Sequence, residues 1–208
     1  MSYEPAIHHR RSILLPGYDY AQAGGYYVTI CAHYRRCLFG EVVAGRVRLG
    51  KLGEIVREEW LRACEVRPGV KPDAWVVMPN HVHGVVIVGA HGNAPLPLGR
   101  RWPEGERAHC CAPLRRPPRS LGALISGFKG AVTRRVARSL GSRSLPVWQR
   151  GYYEHVVRDD GDLEGIRQYI GENPKRWAED RENPIHPWRR PVRVAEGDPA
   201  GRPYDWRR

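Results

Sequence analysis

Residues 73–88 read DAWVVMPNHVHGVVIV, and this stretch constrains the fold more than any other. Asp73–Met78 and His81–Val88 are rich in β-branched residues, and Pro79-Asn80 between them has turn chemistry. Two strands so close in sequence pair most simply as neighbours. The run from Val85 to about Ala90 is the longest apolar stretch in the chain, far short of the ~20 residues that span a bilayer. The remaining elements must therefore cover this pair as part of a folded core.

Those elements alternate. Tyr26–His33 (YYVTICAH) has strand character, and residues 37–50 hold two short strand-like runs around Ala44-Gly45, a hairpin pattern. Lys51–Glu65 places Leu52, Ile55, Val56, Trp60 and Leu61 at helical spacing. Ser120 to about Leu140 does the same with Leu121, Leu124, Ile125, Phe128, Val132 and Val136. A strand is expected around Tyr153–Val157. A last helix, N-capped by Asp162, is expected from Leu163 to about Asn173, where Pro174 discourages continuation. Setting the hairpin aside, the order is βαββαβ plus a terminal helix. That order predicts an α/β (α+β) chain: a ferredoxin-like split βαβ antiparallel sheet with helices on one face, plus a C-terminal helix. The domain reading is an N-terminal arm over 1–24, a domain over 25–177 with a basic insertion at 89–119, and a basic tail over 178–208.

Charge limits the function. The 208 residues hold 34 Lys and Arg against 22 Asp and Glu, a net charge of +12. Only Lys51, Lys71, Lys129 and Lys175 are lysines, so arginine forks dominate. Such an excess favours a polyanionic partner, nucleic acid before an anionic membrane surface. Arg119–Arg150 carries seven cations and no acid, which makes it the expected electrostatic footprint. Within it, Lys129, Arg134, Arg135 and Arg150 are the candidate phosphate contacts. Trp148, Tyr152 and Tyr153 could stack on bases or pack into the core. The opening residues have no apolar signal region. The five cysteines (31, 37, 64, 110 and 111) contain no C-x-x-C. A reduced, cytoplasmic protein is the expectation, nucleoid-associated when bound to DNA.

Two constellations carry chemistry. His81 and His83 lie two apart on a strand, so both imidazoles face one side, as half of a metal site or as buried structural histidines. Tyr169 and Asn173 lie four apart on the last helix, hence on one face. Ile166 and Ile170 supply a separate packing stripe there, which leaves Tyr169 available either to cap the core or to act as a nucleophile. His155, alternating with Tyr153, could face the same centre or the core.

Met78-Pro79-Asn80-His81-Val82-His83-Gly84 resembles the His–apolar–His motif of the single-tyrosine transposases. In the form MPNHVHG, followed by GFKGAVTRR (127–135) and VWQRGYYEHVVRDDGDLEGIRQYIGENPKRW (147–177), it looks like the REP-associated tyrosine transposases. The ordered match spans roughly residues 12 to 185. This resemblance implies a metal-dependent endonuclease and strand transferase acting on single-stranded or hairpin (REP-like) DNA, as a monomer or homodimer. It implies Mg²⁺ or Mn²⁺ held by His81, His83 and Asn173. It also implies Tyr169 as the nucleophile, forming a 5′-phosphotyrosine link and a free 3′-OH. The competing expectations are a binding module without catalysis and a phosphodiesterase that uses water.

Overall fold

The structure is a computed structural model, and it describes residues 20, 23–89, 120–141, 145–180 and 182–184. Nearly all of the N-terminal arm, the basic insertion and most of the C-terminal tail lie outside the described residues.

Among the described residues, six strands and three α-helices follow one another in the expected order. They are β1 (Gly24–Cys31), β2 (Gly40–Val43), β3 (Arg46–Leu49), α1 (Lys51–Glu65), β4 (Val70–Val77), β5 (His81–Val88), α2 (Leu121–Leu140), β6 (Tyr153–Val156) and α3 (Asp160–Glu172). β4, β5, β1 and β6 form one antiparallel sheet in that spatial order. With the β2–β3 hairpin set apart, this is the split βαβ arrangement. Each helical crossover carries the chain past a neighbouring strand. The hairpin turns at Ala44 and Gly45, with φ of 48° and 71°. Positive φ at both central residues matches the strand twist, and glycine lowers its cost.

β1 and β5 are central and covered on both faces, which is why HVHGVVIV has no polar alternation: every residue of β5 is buried. On one face, Val28, Ile30, Val82 and Val86 pack with Trp60 of α1 and Phe128 of α2. On the other, Tyr27, Val85 and Ile87 pack with Leu163, Ile166 and Ile170 of α3. α1 and α2 therefore share one face, and α3 packs on the opposite one. Gly84 is the contact that lets α1 sit close, because a methyl group there would collide with the Trp60 ring.

Three boundaries differ from expectation, the first being β1, which spans Gly24–Cys31 rather than Tyr26–His33. β4 begins at Val70 rather than Asp73, with an irregularity between Pro72 and Trp75. Pro72 lacks an N–H for the ladder, which an edge strand tolerates. The cap of α3 is Asp159, whose Oδ1 accepts from the Asp162 backbone N–H at 2.8 Å. The Asp162 carboxylate is engaged elsewhere. Its Oδ2 lies 2.7 Å from His155 Nε2 and accepts from Arg158 N–H at 3.1 Å.

Candidate active site

The side-chain alternation of β5 points His81 and His83 toward α3, in line with Val85 and Ile87. Their Nε2 atoms stand 2.9 Å apart. Facing them from α3, Tyr169 brings its hydroxyl oxygen to 3.5 Å from His83 Nε2. Leu163, Ile166 and Ile170 bury the packing stripe of α3, while Tyr169 is only half-buried beside it. The rings of His83 and Tyr169 meet edge to face, 5.3 Å between centroids. Three of the four residues expected to form one centre are thus brought together by a strand and a helix distant in sequence.

Neighbours orient both imidazoles. Asn80 is fully buried, and its Nδ2 donates to the backbone oxygens of Arg35 (3.0 Å) and Glu182 (2.6 Å). That commitment fixes the amide, so Oδ1 must accept from His81 Nδ1–H at 2.7 Å. The Nε2 lone pair of neutral His81 then points at His83. His83 Nδ1 lies 2.8 Å from the Tyr27 hydroxyl and 2.9 Å from that of Thr29, and these rotatable groups can serve either tautomer. Thr29 is the register partner of His83, and Tyr27 lies two residues back on the same face of β1. Burial drives both histidines toward their neutral, ligating form. His81 is pushed well below the ordinary histidine value, by burial first and then by His83 and Arg35. Burial alone pushes His83 down to about 3.

These residues suit a small divalent cation. Two neutral imidazoles with converging Nε2 atoms need a proton or a cation between them, since facing lone pairs repel. Two ligands at right angles, each ~2.1 Å from one ion, would be separated by about the gap observed. Asn173, one turn beyond Tyr169 at the end of α3, is buried, and its Oδ1 has no hydrogen-bond partner among the described residues. An unsatisfied buried amide oxygen is costly unless something ligates it. Among the described residues no cluster of three or more His, Cys, Asp and Glu forms a carboxylate- or thiolate-rich metal site. Among the described residues, the two imidazoles and the unpartnered amide oxygen are the groups with the chemistry to hold an ion here.

Two clamps set the position of α3. Arg167 grips Asp73 of β4 through two 2.8 Å bonds, Nε to Oδ1 and Nη2 to Oδ2. The Arg167 bond holds the Asp73 carboxyl below its usual range. His155 of β6 holds Asp162 in the first turn of the helix. His155 is thereby tied to α3 rather than aimed at the histidine pair.

The four candidate phosphate contacts are more scattered. Lys129 donates to the backbone oxygen of Gln149 at 2.8 Å and to that of Gly151, tying α2 to the segment before β6. Arg135 pairs with Glu58 and, at 3.2 Å, with Glu59 of α1. Arg150 is exposed in the segment before β6. Arg134 is exposed and lines a cleft of about 400 Å³ between α1 and α2, together with Arg62, Arg67 and Arg138. That cleft is on the face of the sheet opposite the histidines. Trp148 packs against Phe39 and Phe128 and donates Nε1–H to the Lys129 carbonyl, which is a core role. Tyr153 meets Tyr27 edge to face.

Sequence reasoning missed the orienting residues Asn80, Tyr27 and Thr29. Asn80 registered only as turn chemistry, although its place directly before the first histidine was a usable signal. Tyr27 and Thr29 become visible only once the β1–β5 register is known.

No family model matches the chain. An uncharacterised protein of Haemophilus influenzae is 36% identical over 181 residues, covering 86% of this chain and 96% of that one. The chain belongs to that protein's family. Among solved structures it is similar to a REP-associated tyrosine transposase bound to a REP hairpin, at 20% identity and a TM-score of 0.45, over 85% of this chain and 74% of that one. It is also similar to a candidate transposase of Deinococcus radiodurans, at 18% identity and a TM-score of 0.38, over 76% and 96% of the two chains. No helix among the described residues is long and apolar enough to cross a membrane.

Proposed function

We propose that the protein is a metal-dependent DNA endonuclease and strand transferase of the REP-associated tyrosine transposase type, acting on single-stranded or hairpin DNA. The observation that carries this reading is the approach of the Tyr169 hydroxyl to a pair of converging neutral imidazoles. A phenol of ordinary pKa near 10 is a poor nucleophile by itself.

His81, His83 and Asn173 would hold Mg²⁺ or Mn²⁺, and imidazole favours the softer ion. Bound there, the ion would withdraw charge from a phosphate oxygen and make phosphorus more electrophilic. Tyr169 attacks phosphorus through its phenolic oxygen. The new bond joins Tyr169 Oη to the 5′-phosphate, and the bond that breaks joins phosphorus to O3′. One proton leaves the phenol and one arrives at the departing O3′, so the exchange consumes neither a net proton nor an energy source. The reverse attack by a 3′-OH rejoins the strand and restores Tyr169. Asn80 keeps the His81 lone pair aimed inward, the Tyr27 and Thr29 hydroxyls orient the His83 ring and can accept its Nδ1–H, and the Arg167 and Asp162 clamps hold the nucleophile's helix in register.

An electrophoretic assay with Mn²⁺ tests the reading. A protein–DNA species that survives denaturation supports it. A shift that salt alone reverses supports a binding module on the same fold, and free 5′-phosphate ends without an adduct support hydrolysis by water.

A further inference from the structure

β1 ends at Cys31, the register partner of His81, and the chain then turns sharply through His33–Arg36. This turn is unusual in three ways. Tyr34 and Arg35, neither of them glycine, take left-handed backbone conformations with φ of 51° and 55°. Such strain persists only where surrounding contacts over-determine it, and it concentrates at ligand sites. Those contacts are present: His33 N–H donates to the Val147 carbonyl (2.9 Å), Arg35 N–H to Ala32 (2.9 Å) and Arg36 N–H to His33 (3.2 Å). The turn also presents Tyr34 outward, 45% exposed and packed into neither core cluster. The His33 ring lies 4.1 Å from the Tyr34 ring between centroids, and the Arg36 guanidinium stands 6.0 Å over it.

The turn is wired to the histidine pair. The carbonyl of Arg35 accepts from Asn80 Nδ2, and Asn80 Oδ1 receives His81 Nδ1–H. The Arg35 guanidinium pairs with Glu182, 2.8 Å away, whose carbonyl holds the same Asn80 amide. An exposed aromatic side chain, flanked by a second ring and a cation, is therefore tied by one side chain's length of hydrogen bonds to His81.

We propose that the His33–Arg36 turn is a stacking platform for one unpaired nucleobase beside the scissile phosphate, with the Tyr34 ring taking the base and Arg36 the adjoining phosphate. This rests on the nucleic-acid reading above and adds a positioning residue to it. An aromatic ring with a flanking arginine suits a single strand, because every base offers a π-face while a paired base does not. The strain serves to aim a side chain that the fold does not need in its core.

The test uses the full chain as Tyr169→Phe, which prevents turnover, and a thymidine oligonucleotide of about 16 nucleotides with one internal 2-aminopurine. The parent is expected to bind and to change the probe's fluorescence by stacking. Adding Tyr34→Ala should weaken binding about tenfold and remove the fluorescence change, while Tyr34→Trp keeps both. Tyr34→Gly, which relieves the left-handed strain, should lose binding equally yet melt no lower than the parent. Binding within about twofold of the parent for both Tyr34→Ala and Tyr34→Gly, with the fluorescence change intact, overturns the platform alone. Failure of the parent itself to bind overturns the nucleic-acid reading, and the platform with it.

Discussion

The hydroxyl oxygen of Tyr169 on α3 stands 3.5 Å from Nε2 of His83 on β5, across 86 residues of sequence. That approach is a property of packing. Leu163, Ile166 and Ile170 seat α3 on the face of the sheet that carries the histidines, and the half-buried tyrosine points at them. Tyr169→Phe should therefore keep the fold and DNA affinity while adduct formation falls below detection. Parallel thermal melts and binding isotherms separate this from a general loss of structure.

Asn80 is a small residue with a large expected effect. Replacing it with Ala leaves His81 Nδ1–H and the carbonyls of Arg35 and Glu182 without their buried partner. Orphaned buried groups of this kind cost about 2 kcal/mol. Loss of an orienting partner should also weaken Mn²⁺ binding by about ten- to a hundredfold, a range typical of such residues. Calorimetric titration with Mn²⁺, run below the melting point of the variant, reads the second effect separately from the first.

Acidification should destabilise the metal-free protein through the buried histidines. Both are held neutral in the folded state, with His83 near 3 and His81 well below the ordinary 6.5, while the unfolded chain takes up protons near 6.5. Their contribution is fully present above 6.5 and is lost progressively as pH falls toward the folded values. The slope approaches about 1.4 kcal/mol per pH unit for each histidine. Asp73, with its carboxyl below the ordinary 3.8, adds a loss only in a more acidic window. Urea midpoints between pH 6.5 and 4.5, with and without His83→Gln, should show the slope roughly halved in the variant.

The Arg167–Asp73 clamp joins α3 to β4 at a partly exposed site, with the two side chains 41% and 21% accessible. Solvent screening limits its contribution to stability to below about 1 kcal/mol. Its larger effect is on alignment, because small displacements of a nucleophile cost rate steeply. Arg167→Ala should slow adduct formation about tenfold or more while shifting the melting temperature little. The double variant with Asp73→Ala should be no slower than either single one. Additive losses would show that the two side chains act independently.

Gly84, inside the motif, is explained by packing rather than chemistry. Its lack of a side chain admits the Trp60 ring against the sheet. Gly84→Ala should cost about 1–3 kcal/mol through overpacking, measured by chemical denaturation.

The fold was largely legible because its signals are local and strong. The helix over Lys51–Glu65 forms with the expected bounds and buries Ile55, Val56 and Trp60 as its spacing implies, and Pro79-Asn80 marks the β4–β5 turn. The two-residue phase of His81 and His83, and the packing stripe of Ile166 and Ile170, were also local. What stayed hidden was long-range. No periodicity in β1 says that Thr29 will pair with His83, and no charge pattern says that Arg135 will spend its fork on Glu58 and Glu59. The one-signed stretch 119–150 looked like a single surface. Folded, it divides: Lys129 ties backbone, Arg135 is paired, and Arg134 faces a cleft on the side of the sheet away from Tyr169. Asp162 looked like a helix cap because capping and side-chain pairing use the same residue type, and the nearer Asp159 won the cap.

Whether a phenol on α3 forms the covalent bond to DNA beside the histidine pair is decided by peptide mapping. The protein is trapped with a cleaved single-stranded REP-hairpin substrate and Mn²⁺, digested, and read by mass spectrometry. A 5′-nucleotide remnant is expected on the peptide bearing Tyr169, and none in His81→Ala. A remnant on Tyr152, Tyr153 or any other residue, or cleavage that leaves every peptide unmodified, would refute the assignment.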